Sequence, residues 1–222
     1  MISSRVNRTT SSNPYSKMSV DHIFIVHYTP LTERKAYLTK RFKELGLTNY
    51  TFFEEYNRNT TSKETMDKYF KLDNLTPAQI CITIAHLEIY RKIAEAGYTR
   101  CLIMEDDAIM CDGFNEKFAS YMETFPKDCD LAFIGEGCQM HATNIVPEQT
   151  WYSAILSRTC SGYIITRKTC ERMLETAIPF TKAIDHELNY QIEKNNFITY
   201  WCEPVLIGHG SEDVYKPSYQ QY

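Results

Sequence analysis

Several signals that would assign the chain to a large functional class are missing. No apolar run approaches the roughly 20 residues needed to cross a bilayer. Residues 1–13 are polar where a secretory leader would need an apolar stretch. A soluble cytoplasmic protein with no transmembrane segment is therefore expected. Lys and Arg form no sustained run and the formal net charge is −4, so the electrostatic footprint of a nucleic-acid binder is absent. No cysteine pair has the C-x-x-C spacing of a zinc site. There is no P-loop, no D-x-D-x-[TV] start on the first expected strand and no internal repeat.

What is present suits one sizeable core in 222 residues. The eight cysteines could form disulfides in an oxidising compartment. However, Cys81, Cys101, Cys160, Cys170 and Cys202 lie inside apolar or periodic segments, where free cysteine acts as a small hydrophobe. Reduced thiols are expected. The sequons at Asn7, Asn59 and Asn74 would matter only in a secretory lumen.

Residues 1–19 are rich in Ser, Thr and Asn and should form a flexible tail. The folded domain is expected over 20–210 and a turn-rich tail over 211–222, with turns already beginning at Gly208. His22 to Tyr28 reads as a strand. Thr29-Pro30 then reads as the start of a helix that carries Leu31, Leu38, Phe42 and Leu45 and stops at Gly46. Tyr50 to Glu54 is a second short strand, followed by a helix near Lys63 to Leu72. Thr76-Pro77-Ala78-Gln79 is a capping box opening a largely buried helix that ends before Gly97. Further strands are expected at Cys101 to Met104, Asp130 to Ile134, Ser161 to Ile165 and Thr199 to Ile207. In the last of these, Pro204 implies an edge position or an early end. Helices are expected over Lys168 to Ala177 and from Asp185 to about Asn195. This alternation predicts an α/β fold, a single domain with a mixed sheet flanked by helices, and such sheets gather ligands beyond the carboxyl ends of their strands.

At one such end the apolar run Cys101 to Met104 is followed directly by Glu105, Asp106 and Asp107. In an extended segment Glu105 and Asp107 point the same way, roughly 6 to 7 Å apart, while Asp106 points to the other face. Three adjacent carboxylates repel, and relief at a buried strand end comes from raised pKa values, basic neighbours or a bound cation. Oxygen ligands suit Mg2+ or Mn2+ better than zinc. A cation held by one or two carboxylates keeps positions open for phosphate oxygens. The plainer reading is a solvated acidic turn, and the apolar strand before it favours the metal.

The segments IFIVHYTPLTERK, QICITIAHLEIYRKI, LIMEDDA, LAFIG, CSGYIITRKTCERML, AIDHEL and TYWCEPVLI occur in this order. Taken together, from about Ile23 to about Pro204, the sequence resembles the glycosyltransferase family 25 group, which includes bacterial lipooligosaccharide galactosyltransferases and collagen hydroxylysine galactosyltransferases. The resemblance implies a GT-A-like, Rossmann-related fold. It also implies an inverting transfer of galactose or glucose from a UDP-sugar to a hydroxyl acceptor, a glycan or hydroxylysine-type group, with Mn2+ or Mg2+. Asp107 is then the first choice of metal ligand, with Glu105 or Asp106 facing ribose or metal. Ala85-His86 stands where the family often has Ser-His, which leaves the role of His86 open; its helix face makes it a hydrogen-bonded core histidine.

Inversion needs a base for the acceptor hydroxyl, and Asp185 and Glu187 are the candidates, Asp185 doubling as a possible helix N-cap. His209 resembles the late histidine that completes metal coordination in several GT-A enzymes, against the reading of an exposed loop histidine. Arg34 resembles the family's nucleotide-side arginine, against simple surface solvation. Ser161, Gly162 and Tyr163 would shape the donor-sugar pocket, although a strand glycine can also mark a bulge. Two other function classes use the same acids: a non-catalytic sugar-binding protein of the same fold, and a metal-dependent phosphohydrolase.

Overall fold

The computed structural model describes residues 19–72 and 74–213. The tails expected over 1–19 and 211–222 lie outside the described residues except for Ser19 and residues 211–213. In chain order the elements are β1 His22–Val26, α1 Thr32–Glu44, β2 Tyr50–Phe53, α2 Lys63–Tyr69, α3 Pro77–Ala96, β3 Arg100–Glu105, β4 Ala108–Met110 and α4 Phe114–Glu123. There follow β5 Leu131–Phe133, β6 Trp151–Ala154, β7 Gly162–Thr166, α5 Arg167–Thr176, α6 Ile184–Asn195, β8 Thr199–Cys202, β9 Ile207–His209 and α7 Gly210–Asp213.

Seven strands form one sheet in the order β2-β1-β3-β7-β5-β8-β6. The pairs β1–β2, β1–β3 and β5–β8 are parallel, whereas β7 runs antiparallel to both β3 and β5, and β6 antiparallel to β8. The result is a mixed α/β sheet with helices on both faces. Strand β3 shows why its sequence is continuously apolar: Cys101 and Ile103 join the core on one face and Leu102 and Met104 the core on the other, as expected for a strand covered on both sides. The first core also takes Ile84, Leu87 and Ile93 of α3 and Met173 of α5. The second takes Leu38 and Phe42 of α1 and Phe114, Phe118 and Met122 of α4.

Helix α3 is closed at both ends by local chemistry. The Thr76 hydroxyl and the Gln79 side chain satisfy each other's backbone N–H groups, Pro77 opens the first turn and Gly97 takes a left-handed φ of 70°. Helix α1 starts later than Thr29-Pro30 suggests. The Thr29 hydroxyl accepts from Asn57 Nδ2 at 2.9 Å instead of capping a helix, and the Leu31 N–H bonds Tyr28 O at 2.9 Å in a turn. Leu31 becomes the N-cap without a side-chain bond.

The segment read as a strand to Ile207 divides. β8 ends at Cys202 before Pro204, but it lies between β5 and β6 and is not an edge. The chain after it, read as turns from Gly208, instead forms β9, which pairs antiparallel with β4 in a separate two-stranded sheet. Among the described residues no helix is long and apolar enough to cross a membrane. All eight cysteines are free, and Cys81, Cys101, Cys160, Cys170 and Cys202 are buried.

Candidate active site

Strands β1 and β3 are parallel, with Val26 opposite Glu105, so the residues that follow both strands meet at one end of the sheet. Asp106 turns toward β1. Its Oδ2 lies 2.8 Å from His27 Nδ1 and accepts the Tyr28 N–H at 3.1 Å, while its Oδ1 accepts Arg34 Nη1 at 2.9 Å. Both oxygens of this buried carboxylate are engaged internally, and it ties the ends of β1 and β3 to α1. Arg34 is buried too, 6% exposed, and not solvated on the helix surface. Its Nη2 donates to Ser211 Oγ at 3.2 Å.

Strand β3 ends at Glu105, and Asp106 and Asp107 form the turn before β4, so the strand alternation expected across these three acids stops at Glu105. The β4–β9 ribbon then supplies a third group: Ala108 pairs with His209, and Gly210 N–H bonds Asp107 O at 2.8 Å. His209 Nε2 is 3.5 Å from Asp107 Oδ2. One donor atom from each of Glu105, Asp107 and His209 fits within 4.8 Å of the others. Ser211 Oγ donates to Asp107 Oδ2, while Asp107 Oδ1 is buried without a hydrogen-bond partner among the described residues.

An unpartnered buried carboxylate oxygen is costly, and a cation shared by two carboxylates and an imidazole would satisfy it. This oxygen-rich set with one nitrogen suits Mn2+ or Mg2+. Glu105 and His209 remain 24% and 20% exposed at their side chains, which leaves the group open on the solvent side. Burial, followed by the negative charges of Asp107 and Asp185, holds the Glu105 carboxyl well above the usual carboxylate range, with His209 opposing.

Behind Glu105 lies a second layer. His86, fully buried on α3, bonds the Tyr163 hydroxyl through Nδ1 at 2.8 Å, and that hydroxyl bonds Tyr90 Oη at 2.7 Å. Its Nε2 is 3.6 Å from Glu105 Oε1. Burial pulls the imidazole down to about 4, with Asp185 partly offsetting. Asp185 belongs to the first turn of α6, whose N-cap is Ala183, so it is not the cap. It is close enough to Glu105, His86 and Cys160 to shift the titration of each. Glu187 faces elsewhere: its Oε1 accepts Gln191 Nε2 at 2.8 Å, and Gln191 in turn bonds Thr176 at the end of α5.

Ser161 donates to Glu136 O at 2.7 Å, holding the loop after β5 against the start of β7. Gly162 lies opposite Met104 in β7, and a Cβ there would fall 2.6 Å from Ile207 Cδ1, so β9 packs directly over it. A cavity of about 1090 Å³ opens along α6, lined in part by Leu156, Lys182, His186 and Tyr190. It includes neither the acids nor Asp185. Sequence reasoning did not single out His27 and Ser211. The signal for His27 was present, since a residue just beyond β1 must neighbour the acids just beyond a parallel β3. Ser211 carried none, because the strand that places it is three residues long.

The family model described as "Glycosyltransferase family 25 (LPS biosynthesis protein)" matches residues 20–144. R655 of Acanthamoeba polyphaga mimivirus, which carries a glycosyltransferase description, is 25% identical over 118 residues, 51% of this chain and 36% of that protein. A glycosyltransferase 25 family member of Aedes aegypti is 24% identical over 199 residues, 82% of this chain and 32% of that protein. The chain thus spans about a third of the length of the curated relatives it matches. The crystal structure of A197 from STIV aligns with a TM-score of 0.45 and 15% identity, covering 83% of this chain and 81% of that one, and nothing about the site follows from it.

Proposed function

The chain belongs to glycosyltransferase family 25, whose model matches more than half of it, and we propose that it moves a hexosyl group, galactose or glucose, from a UDP-sugar to a hydroxyl acceptor with inversion. The acceptor would be a glycan or a hydroxylysine-type group. The reading extends to a GT-A-like fold in which Asp107, Glu105 and His209 hold Mn2+ or Mg2+. The observation that carries it is the convergence of one donor atom from each of these three side chains within 4.8 Å, together with a buried Asp107 oxygen that has no hydrogen-bond partner among the described residues.

When bound, the cation would neutralise the charge that accumulates on the departing diphosphate. The protein's own groups do the rest. The acceptor oxygen attacks the anomeric carbon as the bond from that carbon to the diphosphate oxygen breaks, and UDP leaves with the electron pair. Asp185 receives the acceptor's hydroxyl proton. Its place in the first turn of α6, near Glu105 and with a buried oxygen that has no hydrogen-bond partner among the described residues, suits a base for the acceptor. Glu187, committed to Gln191, keeps α6 packed on α5. Asp106 and Arg34 are positioning residues that lock the donor end of the sheet, and Arg34 also orients Ser211 against Asp107. Ser161 and Gly162, both covered by protein, act indirectly by holding the loop after β5 and strand β9 close against β7.

The test is release of UDP from UDP-galactose or UDP-glucose in the presence of Mn2+. Activity should vanish in Asp107→Ala while circular dichroism stays native. Metal-independent turnover, or full activity of Asp107→Ala, would contradict the reading.

A further inference from the structure

A second set of donor atoms shares Glu105 with the first. His86, Glu105 and Cys160 each offer one ligand atom within 4.8 Å of the others. The set differs in chemistry from the first, because it replaces a carboxylate with a thiol. Sulfur and imidazole favour zinc-class cations over Mn2+ and Mg2+, which prefer oxygen.

An independent observation points into this space. His86 Nε2 belongs to a side chain with no exposed surface and has no hydrogen-bond partner among the described residues. Its Nδ1 is committed to the Tyr163–Tyr90 hydroxyl pair, which fixes the ring and aims Nε2 toward Glu105 and Cys160. A hydrogen bond to the other ring nitrogen orients a metal-binding histidine in this way. Asp185, with a buried oxygen also lacking a hydrogen-bond partner, adjoins Cys160.

We propose that His86, Glu105 and Cys160 form a site for a zinc-class divalent cation, distinct from the site on Asp107 and His209 and joined to it through Glu105. On binding, the Cys160 thiol loses its proton to solvent and its sulfur bonds the cation, while His86 binds through neutral Nε2. A bound cation stabilises the thiolate form of this buried thiol. The inference requires neither Asp107 nor His209, so it can fail or stand apart from the transferase reading.

The probe is Co2+, a spectroscopic substitute for zinc, added to the full chain in a Cys111→Ser/Cys138→Ser background that removes the two less buried thiols. One equivalent should give a sulfur-to-cobalt charge-transfer band that Zn2+ abolishes. The band should persist in His209→Ala and disappear in Cys160→Ser. No band, or a band that survives Cys160→Ser, would overturn the proposal. A second measurement needs no substitution within the site: zinc-edge X-ray absorption of the same background protein should show one sulfur at about 2.3 Å among nitrogen and oxygen scatterers. A shell of nitrogen and oxygen alone would overturn it.

Discussion

Arg34 and Asp107 are linked through a single hydroxyl: Arg34 Nη2 donates to Ser211 Oγ, and Ser211 Oγ donates to Asp107 Oδ2. The same guanidinium pairs with Asp106, so one buried cation braces two of the three adjacent acids, one directly and one at second hand. Removing it leaves the Asp106 carboxylate buried with less compensation, and breaking such a pair costs about 3–5 kcal/mol. Arg34→Met should therefore lower stability on that scale in a denaturant titration. Ser211→Ala should cost about 1 kcal/mol and weaken metal binding more than it weakens the fold.

Asp185 and Glu187 lie two residues apart on α6 yet should respond differently. Asp185→Asn should reduce turnover roughly 10²- to 10⁴-fold, the usual contribution of a positioned acid or base, with melting temperature nearly unchanged. Glu187→Gln keeps the geometry of its contact with Gln191 and should leave kcat close to that of the parent. Equal losses from the two variants would count against Asp185 as the base.

The two glycines at the crossing of β5, β7 and β9 should also differ. A Cβ on Gly135 would meet the Gly162 backbone nitrogen at 2.6 Å, whereas one on Gly162 meets Ile207 Cδ1, the end of a movable side chain, at the same distance. Overpacking of the second kind costs roughly 1–3 kcal/mol. Gly135→Ala should cost more, because β7 is hydrogen-bonded on both sides and its backbone cannot retreat. Ile207→Val should recover part of the Gly162→Ala loss and none of the Gly135→Ala loss, as read by thermal melts.

His86 sets an acid limit on stability. Its pKa falls from 6.5 in the ordinary group to about 4 in the fold, so the unfolded chain binds the proton more readily. The stability that neutral His86 contributes is complete above 6.5 and is lost as pH falls toward 4, on the order of 3 kcal/mol. Glu105 has the opposite sign. Its raised pKa favours the protonated fold, and stability declines as pH rises from the ordinary carboxylate value of 4.5 through the raised one. Mn2+ should therefore stabilise the protein more above the raised Glu105 pKa than below it, where a proton competes for the carboxylate. Equilibrium unfolding of the parent and of His86→Gln across this range, with and without Mn2+, checks both signs.

The parts of the site that were legible in the sequence are those carried by long or strongly patterned elements. The run Cys101 to Met104 announced a buried strand, and the acids after it were bound to emerge at its carboxyl end. The Thr76 box and Gly97 marked both ends of α3, which in turn placed His86 in the core. Helix α4 left a readable signal in the i, i+4, i+8 spacing of Phe114, Phe118 and Met122, although no element was expected there. β4 and β9 are three residues each, too short for a period, and their pairing is a tertiary event. His209 could thus be proposed as a ligand only by resemblance, and what brings it to Asp107 is the register of Ala108 with His209. Thr29-Pro30 misled because a hydroxyl before proline reads as a cap, whereas Asn57 claims that hydroxyl from across the sheet end.

A crystal structure of the protein with Mn2+ and UDP, phased to show the manganese anomalous signal, would decide whether Asp107 holds a cation. One peak is expected, bonded to Asp107, Glu105 and His209, with diphosphate oxygens completing its shell and Asp106 still bound to Arg34. A peak away from these side chains, or UDP bound with Asp107 and His209 turned toward solvent, would contradict it.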